Sequence, residues 1–402
     1  MENNQNNITE EKRIKILELC DAFYPVVDGV VAVVKNYAEN ISENETCSVA
    51  APAPRKRDKY VDKEKFKVIR CRSWSAPEKY RYAVPLFDYG FRKRVKKENF
   101  DVMHAHSPFS MGRFALSYTK KKKIPLVVTL HTQYHQDFAR VLKSKALTRM
   151  MIKYIMKVFN NADSVWTVSE ASKKYLRLYG YKGDIQVVRN GTEYVYPEND
   201  KELIDVINKE HNLEGQKNVF LFVGRMAMYK NLGLICDALK ILKEKGVDFK
   251  MLWVGGGFDI DELKGIVKDY GIENQCIFTG SINDRNKLQA YYLRADAFLF
   301  PSTFDMASVS KVEAAVHKLP SVVVRNSCSA EQVIDGENGY LIDGTATDFA
   351  EKLIYICNNP EEVKKVGENA QKTLSRSWKD VACEALEKYK EIVEKYKLKN
   401  KE

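Results

Sequence analysis

The chain has 402 residues, 45% apolar and 30% charged, the composition of a globular protein of two or three domains. Its eight cysteines are scattered with no C-x-x-C pair, which argues against a zinc ribbon or a disulfide framework and for reduced thiols in a cytosol. The net charge of +11 is uneven: residues 1–195 carry 36 Lys and Arg against 21 Asp and Glu, while the remainder is mildly acidic. Such a half predicts an anionic partner, which could be nucleic acid, a membrane surface or an acidic substrate.

The first dozen residues are polar, lack the apolar centre of a signal peptide and are expected to be disordered. No apolar run reaches the ~18 residues of a membrane-crossing helix, so none is predicted. Ile14–Leu19 reads as a strand, Pro25 and Gly29 as a loop, and Val30–Ile41 as an amphipathic helix. Strand, glycine-containing loop and helix open a doubly wound sheet, and Gly29 would let a ligand approach the helix start. Strands follow at Phe66–Cys71 and Asp101–His106, with basic blocks around them. The strand Leu126–Leu130 runs into His131-Thr132-Gln133-Tyr134. His106 and His131 thus stand at C-terminal strand ends, facing one crevice. Arg140–Phe159 reads as one basic amphipathic helix with Arg149, Lys153 and Lys157 on one face, a pattern suited to anionic lipid. Strands Ser164–Val168 and Ile185–Val188 complete this half, and the polar stretch Pro197–Gln216 is the expected linker.

The second half restarts the alternation. After the strand Val219–Val223 come Gly224 and Arg225, then Lys230 ahead of a helix through Leu242. Cations at a helix N-terminus oppose its dipole and make sense with an anion such as a diphosphate between them. Met251–Val254 precedes Gly255-Gly256-Gly257, which is not a dinucleotide fingerprint. Asp259 and Asp261 match a D-x-D pattern but fall at a helix start, where carboxylates are favoured anyway. The stretch Phe298–Pro320 reads as an apolar strand, a loop holding Asp305, and a helix from about Ser308 holding Glu313. Two carboxylates at that strand end can grip sugar or ribose hydroxyls. A long helix, Trp378–Lys397, closes the chain.

Several motifs recur together in order. In the first half they are Tyr24-Pro25 with Gly29, His104-Ala105-His106, His131-Thr132, Val168-Ser169 and Asn190-Gly191. In the second they are Gly224-Arg225, Lys230-Asn231, Val254 with its glycines, Phe300-Pro301-Ser302, Asp305 and Glu313-Ala314. This set resembles the retaining glycosyltransferases of family 4. The resemblance implies an α/β GT-B fold of two Rossmann-like doubly wound domains, expected at 1–195 for the acceptor and 196–377 for the donor. The last helix, 378–402, is expected to pack back on the first domain.

The resemblance also implies roles. Arg225 and Lys230 bind the diphosphate, Glu313 the ribose, and Asp305, where the family has Glu, the transferred sugar. Gly29, Gly224 and Gly255 line the donor site, as do Ala307, Ser308 and Val309. Met306–Val309 replaces the family's Gly-Phe-Gly-Leu. His131 stands near the reacting face, with His106 and Tyr134 toward the acceptor. The implied reaction moves a hexose from a nucleotide sugar, UDP-linked first and GDP-linked second, without a cofactor or metal. The acceptor is a hydroxyl of a lipid or lipid-linked glycan at the cytoplasmic membrane face. A nucleotide-sugar epimerase and a transferase with a soluble acceptor are the alternatives, while a nucleic-acid binder leaves the donor motifs unexplained.

Overall fold

A computed structural model of the chain describes residues 13–26, 28–55, 58–75 and 81–400. The tail read as disordered, and parts of the basic stretch near residues 56 and 78, lie outside the described residues. The chain builds two parallel sheets covered by helices. The first has seven strands in the order β3-β2-β1-β6-β7-β8-β9. These are β1 Lys15–Leu19, β2 Thr46–Pro52, β3 Lys67–Cys71, β6 Val102–Ala105, β7 Leu126–Leu130, β8 Ser164–Thr167 and β9 Gln186–Val187. A short hairpin of β4 Ser73–Ser75 and β5 Arg81–Ala83 stands apart. The second sheet runs β12-β11-β10-β13-β14-β15. Its strands are β10 Val219–Val223, β11 Lys250–Val254, β12 Cys276–Gly280, β13 Ala297–Phe300, β14 Ser321–Val324 and β15 Tyr340–Ile342. Central strands such as LVVTL and VFLFV are buried at every position, as parallel strands covered on both faces must be. In both sheets the order reverses beside the first strand, and the crevice there opens at the C-terminal strand ends.

Side-chain caps fix the helices that face this crevice. Asp28 accepts from Val31 N at 2.9 Å and starts the helix Gly29–Ile41. Ser308 accepts from Lys311 N and starts the helix Val309–Val316.

Two expected elements differ. The helix read as Arg140–Phe159 is two helices, Tyr134–Leu142 and Lys145–Phe159. Lys143 takes a left-handed φ of 47° and Ser144 caps the second helix, so Arg140 belongs to the first. The expected linker is largely a helix, Asp200–His211, packed on Arg285–Arg294, with Ile207 fully buried and Arg294 bonded to the Leu213 and Gln216 carbonyls. Its charges are one solvated face of an amphipathic helix, which a polar average hides.

The chain passes between the sheets twice, and the passages touch. Thr192 N donates to Arg376 O at 2.8 Å, and Trp378 N donates to Thr192 O at 3.2 Å. A Cβ on Gly191 would stand 2.8 Å from the Ser377 backbone, so only glycine fits. The helix Trp378–Lys399 then packs on Gly29–Ile41, burying Trp378, Val381, Ala385 and Tyr389 in the first sheet's core.

Candidate active site

The loop after β13 is where the halves meet. Asp305 sits there, and Lys230 Nζ donates to both its carboxylate oxygens at 2.9 and 3.0 Å. Ser302 Oγ donates to the same carboxylate at 2.6 Å, and Asn231 Nδ2 holds the Pro301 carbonyl. From the first half, Gln133 Nε2 donates to the carbonyls of Thr303 and Phe304, Ser169 Oγ to that of Met306, and Asn190 Nδ2 to that of Ala307. Met306 is 2% exposed and packs into the first half's core, while Ala307 lies against that core and Val309 against the core beside Val30. Of the four residues that replace the family's glycine-rich pattern, Met306, Ala307 and Val309 are therefore apolar anchors on the opposite domain, and Ser308 caps its helix.

Arg225 follows β10, its guanidinium 5.9 Å from the Phe258 ring centre, and its charge acts on Asp137 of the facing half. Asp137 is held above the usual carboxylate range, mainly by burial, against the pull of the Thr132 hydroxyl and of Arg140 and Arg225. Arg140 lies 4.3 Å from the Tyr229 ring centre, a cation–π contact across the crevice. Arg225, Lys230 and Asp305 thus gather at one mouth, with Gln133 and Arg140 opposite.

Glu313 forms the other end. It is buried, accepts from Tyr292 OH at 2.8 Å and has Arg285 3.9 Å from its second oxygen. Burial raises its pKa, only partly countered by the Tyr292 hydrogen bond and the Arg285 charge. Arg285 also meets Glu193, which pairs with Lys35 of the first half. The oxygen facing Arg285 at that distance can still accept a hydroxyl.

Gly29 opens its helix with no atom of the described residues within 4 Å of where a Cβ would stand. A ligand has backbone amides and free space there. Gly224 and Gly255 do something different: φ values of 156° and 136° bring their backbones so close that a Cβ on Gly255 would lie 1.9 Å from Gly224 O. Backbone packing alone requires glycine at Gly255. Asp259 accepts from Met228 N ahead of its helix, so the D-x-D pattern is spent on local structure.

His131 is half-buried and shares a 2.9 Å hydrogen bond between its Nε2 and His106 Nδ1. Burial holds its pKa well below the ordinary histidine range, so it is neutral near pH 7. His106 is itself buried, one step behind His131 and not on the cleft. Tyr134, read as facing the acceptor, is 5% exposed, its ring between Phe109 and Phe138. It opens its helix on the inward face and packs the core. The sequence reading missed Gln133, Arg140, Tyr292, Arg285 and Glu18. Glu18 carried a signal, as the one carboxylate in the strand KILEL.

The fold is that of the GT-B glycosyltransferases. Residues 27–194 match the Glycosyltransferase Family 4 pattern and residues 204–373 that of Glycosyl transferases group 1, and the chain belongs to this family of enzymes. Among relatives, it is 27% identical over 392 residues to alpha-monoglucosyldiacylglycerol synthase of Acholeplasma laidlawii, covering 93% of this chain and 96% of that one. The enzyme of the same name from Streptococcus pneumoniae is 26% identical over 341 residues, 81% and 74% of the two chains. The crystal structure of Anabaena HepE in complex with UDP and glucose superposes with a TM-score of 0.75 at 18% identity, over 94% of this chain and 99% of that one.

Proposed function

We propose that this enzyme transfers a hexose with retention from a UDP-linked donor to a hydroxyl of a lipid at the cytoplasmic face of a membrane. The observation that carries the donor half is Lys230 on Asp305, with Arg225 beside them and Glu313 beyond. A diphosphate brought to this mouth draws on Arg225, Lys230 and the amides that open Gly29–Ile41 and Val309–Val316. Lys230 then turns from Asp305 toward phosphate, freeing Asp305 to accept from sugar hydroxyls. Glu313 accepts from the ribose. As the sugar–phosphate bond breaks, charge grows on the leaving oxygens, where fixed cations and amides stabilise it most. The acceptor oxygen attacks from the leaving group's side, and the departing phosphate takes its proton. The protein's own cations supply the countercharge, so this reading needs no metal.

The lipid half rests on the surface and on the names of the two synthases. On the helix Lys145–Phe159, Ile152, Ile155 and Phe159 face the core, while Leu147, Met150 and Tyr154 are exposed beside Arg149, Lys153 and Lys157. Trp74, Tyr82, Phe87 and Tyr89 are also exposed in this basic half. Apolar and aromatic tips among cations suit the headgroup region of an anionic bilayer. Among the described residues no helix is long and apolar enough to cross a membrane. A panel of nucleotide sugars scored by thermal shift, then by mass spectrometry of membrane-extract products, tests the reading. It predicts a shift with UDP-hexose and a glycolipid product; epimerised free nucleotide sugar with no glycoside would overturn it.

A further inference from the structure

Behind His131 lies a buried polar chain that the transfer reaction does not use directly. The parallel register sets Glu18 of β1 beside His104 of β6, with His106 two residues on along the same face. Glu18, His104 and His106 are essentially inaccessible. Glu18 Oε2 lies 2.7 Å from His106 Nε2, and Glu18 Oε1 accepts from Tyr389 OH at 3.0 Å. Tyr389 OH in turn meets His104 Nδ1 at 2.5 Å, and His104 Nε2 meets Thr129 Oγ1 at 2.6 Å. The chain ends with His106 Nδ1 on His131 Nε2. The three donor atoms of Glu18, His104 and His106 lie within 4.8 Å of one another. Glu18 and His106 are nevertheless at hydrogen-bond distance, closer than two ligands of one ion with ~2 Å bonds at tetrahedral angles would stand.

The proton positions follow from donor and acceptor counting. A carboxylate only accepts, so His106 Nε2 and Tyr389 OH must donate to Glu18. The tyrosine oxygen then accepts from His104 Nδ1–H, which leaves His104 Nε2 to accept from the Thr129 hydroxyl. With its Nε2 proton spent on Glu18, a neutral His106 offers a lone pair at Nδ1. His131 must therefore donate from Nε2, and its own Nδ1 carries the lone pair. No described residue hydrogen-bonds that Nδ1, and the side chain is half-buried.

We infer that Glu18, acting through His106 and braced by Tyr389 of the last helix, fixes His131 in its Nε2–H tautomer, so that Nδ1 meets the transferred sugar as a hydrogen-bond acceptor. Glu18, His106 and Tyr389 are positioning residues, and the sugar contact rests on the function proposed above. Burial opposes the charge on Glu18, but the ring N–H groups of His104, 3.2 Å from Oε2, and of His106 face the carboxylate and hold its pKa below the ordinary carboxylate range. Tyr37 of the helix Gly29–Ile41 and Cys47 of β2 also face this carboxylate. Tyr37 packs edge-on to His106, and the His104 ring centre lies 4.0 Å from that of His106.

The test is ¹⁵N-histidine NMR of the full chain without substrate, with His131 assigned from its disappearance in His131→Asn. The wild type should show His131 with unprotonated Nδ1 and protonated Nε2. His106→Leu removes the acceptor of the His131 proton and should give a tautomer mixture. Tyr389→Phe keeps the packing and removes one hydrogen bond to Glu18. It should broaden the His131 tautomer distribution in the same spectra, which a packing role would leave unmoved. A wild-type His131 protonated on Nδ1, or a tautomer unchanged in His106→Leu, overturns the inference, and neither reading requires the enzyme to have any particular substrate. A His131 tautomer unchanged in a folded Tyr389→Phe removes Tyr389 from the device.

Discussion

Replacing Lys230 by Ala separates a structural ion pair from a catalytic cation. Lys230 Nζ lies 2.9 and 3.0 Å from the Asp305 oxygens, with the side chains 12% and 23% exposed. At that distance and an effective dielectric constant of about 20 the gross attraction is about 6 kcal/mol. Desolvation of both partners offsets most of it, and solvent at the crevice screens the rest, leaving a net loss of about 1–2 kcal/mol on breaking the pair. Ser302 still donates to Asp305 in the variant, which limits the damage. The effect on transfer should be larger. Removing one preorganised group from a site of developing charge costs about 10²–10³ in kcat, or roughly 3–4 kcal/mol. The assay is transfer from UDP-hexose, read by mass spectrometry, beside a urea melt of the same sample. Lys230→Ala should show a small shift in midpoint with a loss of at least about a hundredfold in turnover. A variant that loses stability and keeps its turnover would show that Lys230 only braces the loop, and the diphosphate site would fall with it.

Glu313→Gln should be at least as stable as the wild type at pH 7 while losing most transfer. The sign follows from the raised pKa of Glu313. Its favourable share of stability is present below the unfolded pKa and is lost as pH rises through the folded one, so a neutral amide relieves a cost. A Tm at pH 7 well below the wild type's would contradict this. Met306→Ala empties a site in the opposite domain's core and should cost about 2–4 kcal/mol, visible as a lower denaturation midpoint. An unchanged midpoint would mean that the anchor is idle. Reversing Arg149, Lys153 and Lys157 to Glu should abolish co-sedimentation with anionic vesicles at low salt and leave UDP-hexose binding intact. Sedimentation indifferent to charge would remove this helix from the membrane. Chelation with EDTA should leave transfer unchanged, and activity restored only by added divalent ion would refute the metal-free reading.

The alternation of strands and helices was legible because parallel strands are continuous apolar runs: VFLFV, MLWV and FLFP stand out against charged helices. Lys230 and Asp305 stood out in the sequence as charges beside strand ends, and Glu313 as a charge within the next helix; the structure pairs the first two and buries the third. What escaped was whatever depends on the third dimension. The break at Lys143 is one left-handed residue in an otherwise helical pattern. Tyr134 looked like a cleft residue by its neighbours, but helix phase turns it inward. Gln133, the residue before it, reaches the facing loop, and no local pattern marks it. The Glu18–His106–His131 chain joins three strands and the last helix, contacts fixed by sheet register and by the return of residues 378–399. A strand of five residues with one buried carboxylate was the visible trace of it.

The most direct test of the central claim is to incubate the purified chain with UDP-hexoses and vesicles holding a neutral lipid hydroxyl and an anionic lipid, then determine the product's anomeric configuration by NMR. The account predicts a glycolipid carrying one hexose in the donor's own α configuration, absent when the lipid hydroxyl is omitted. A β-linked product would contradict retention, and free hexose alone at every lipid concentration would contradict transfer to a lipid.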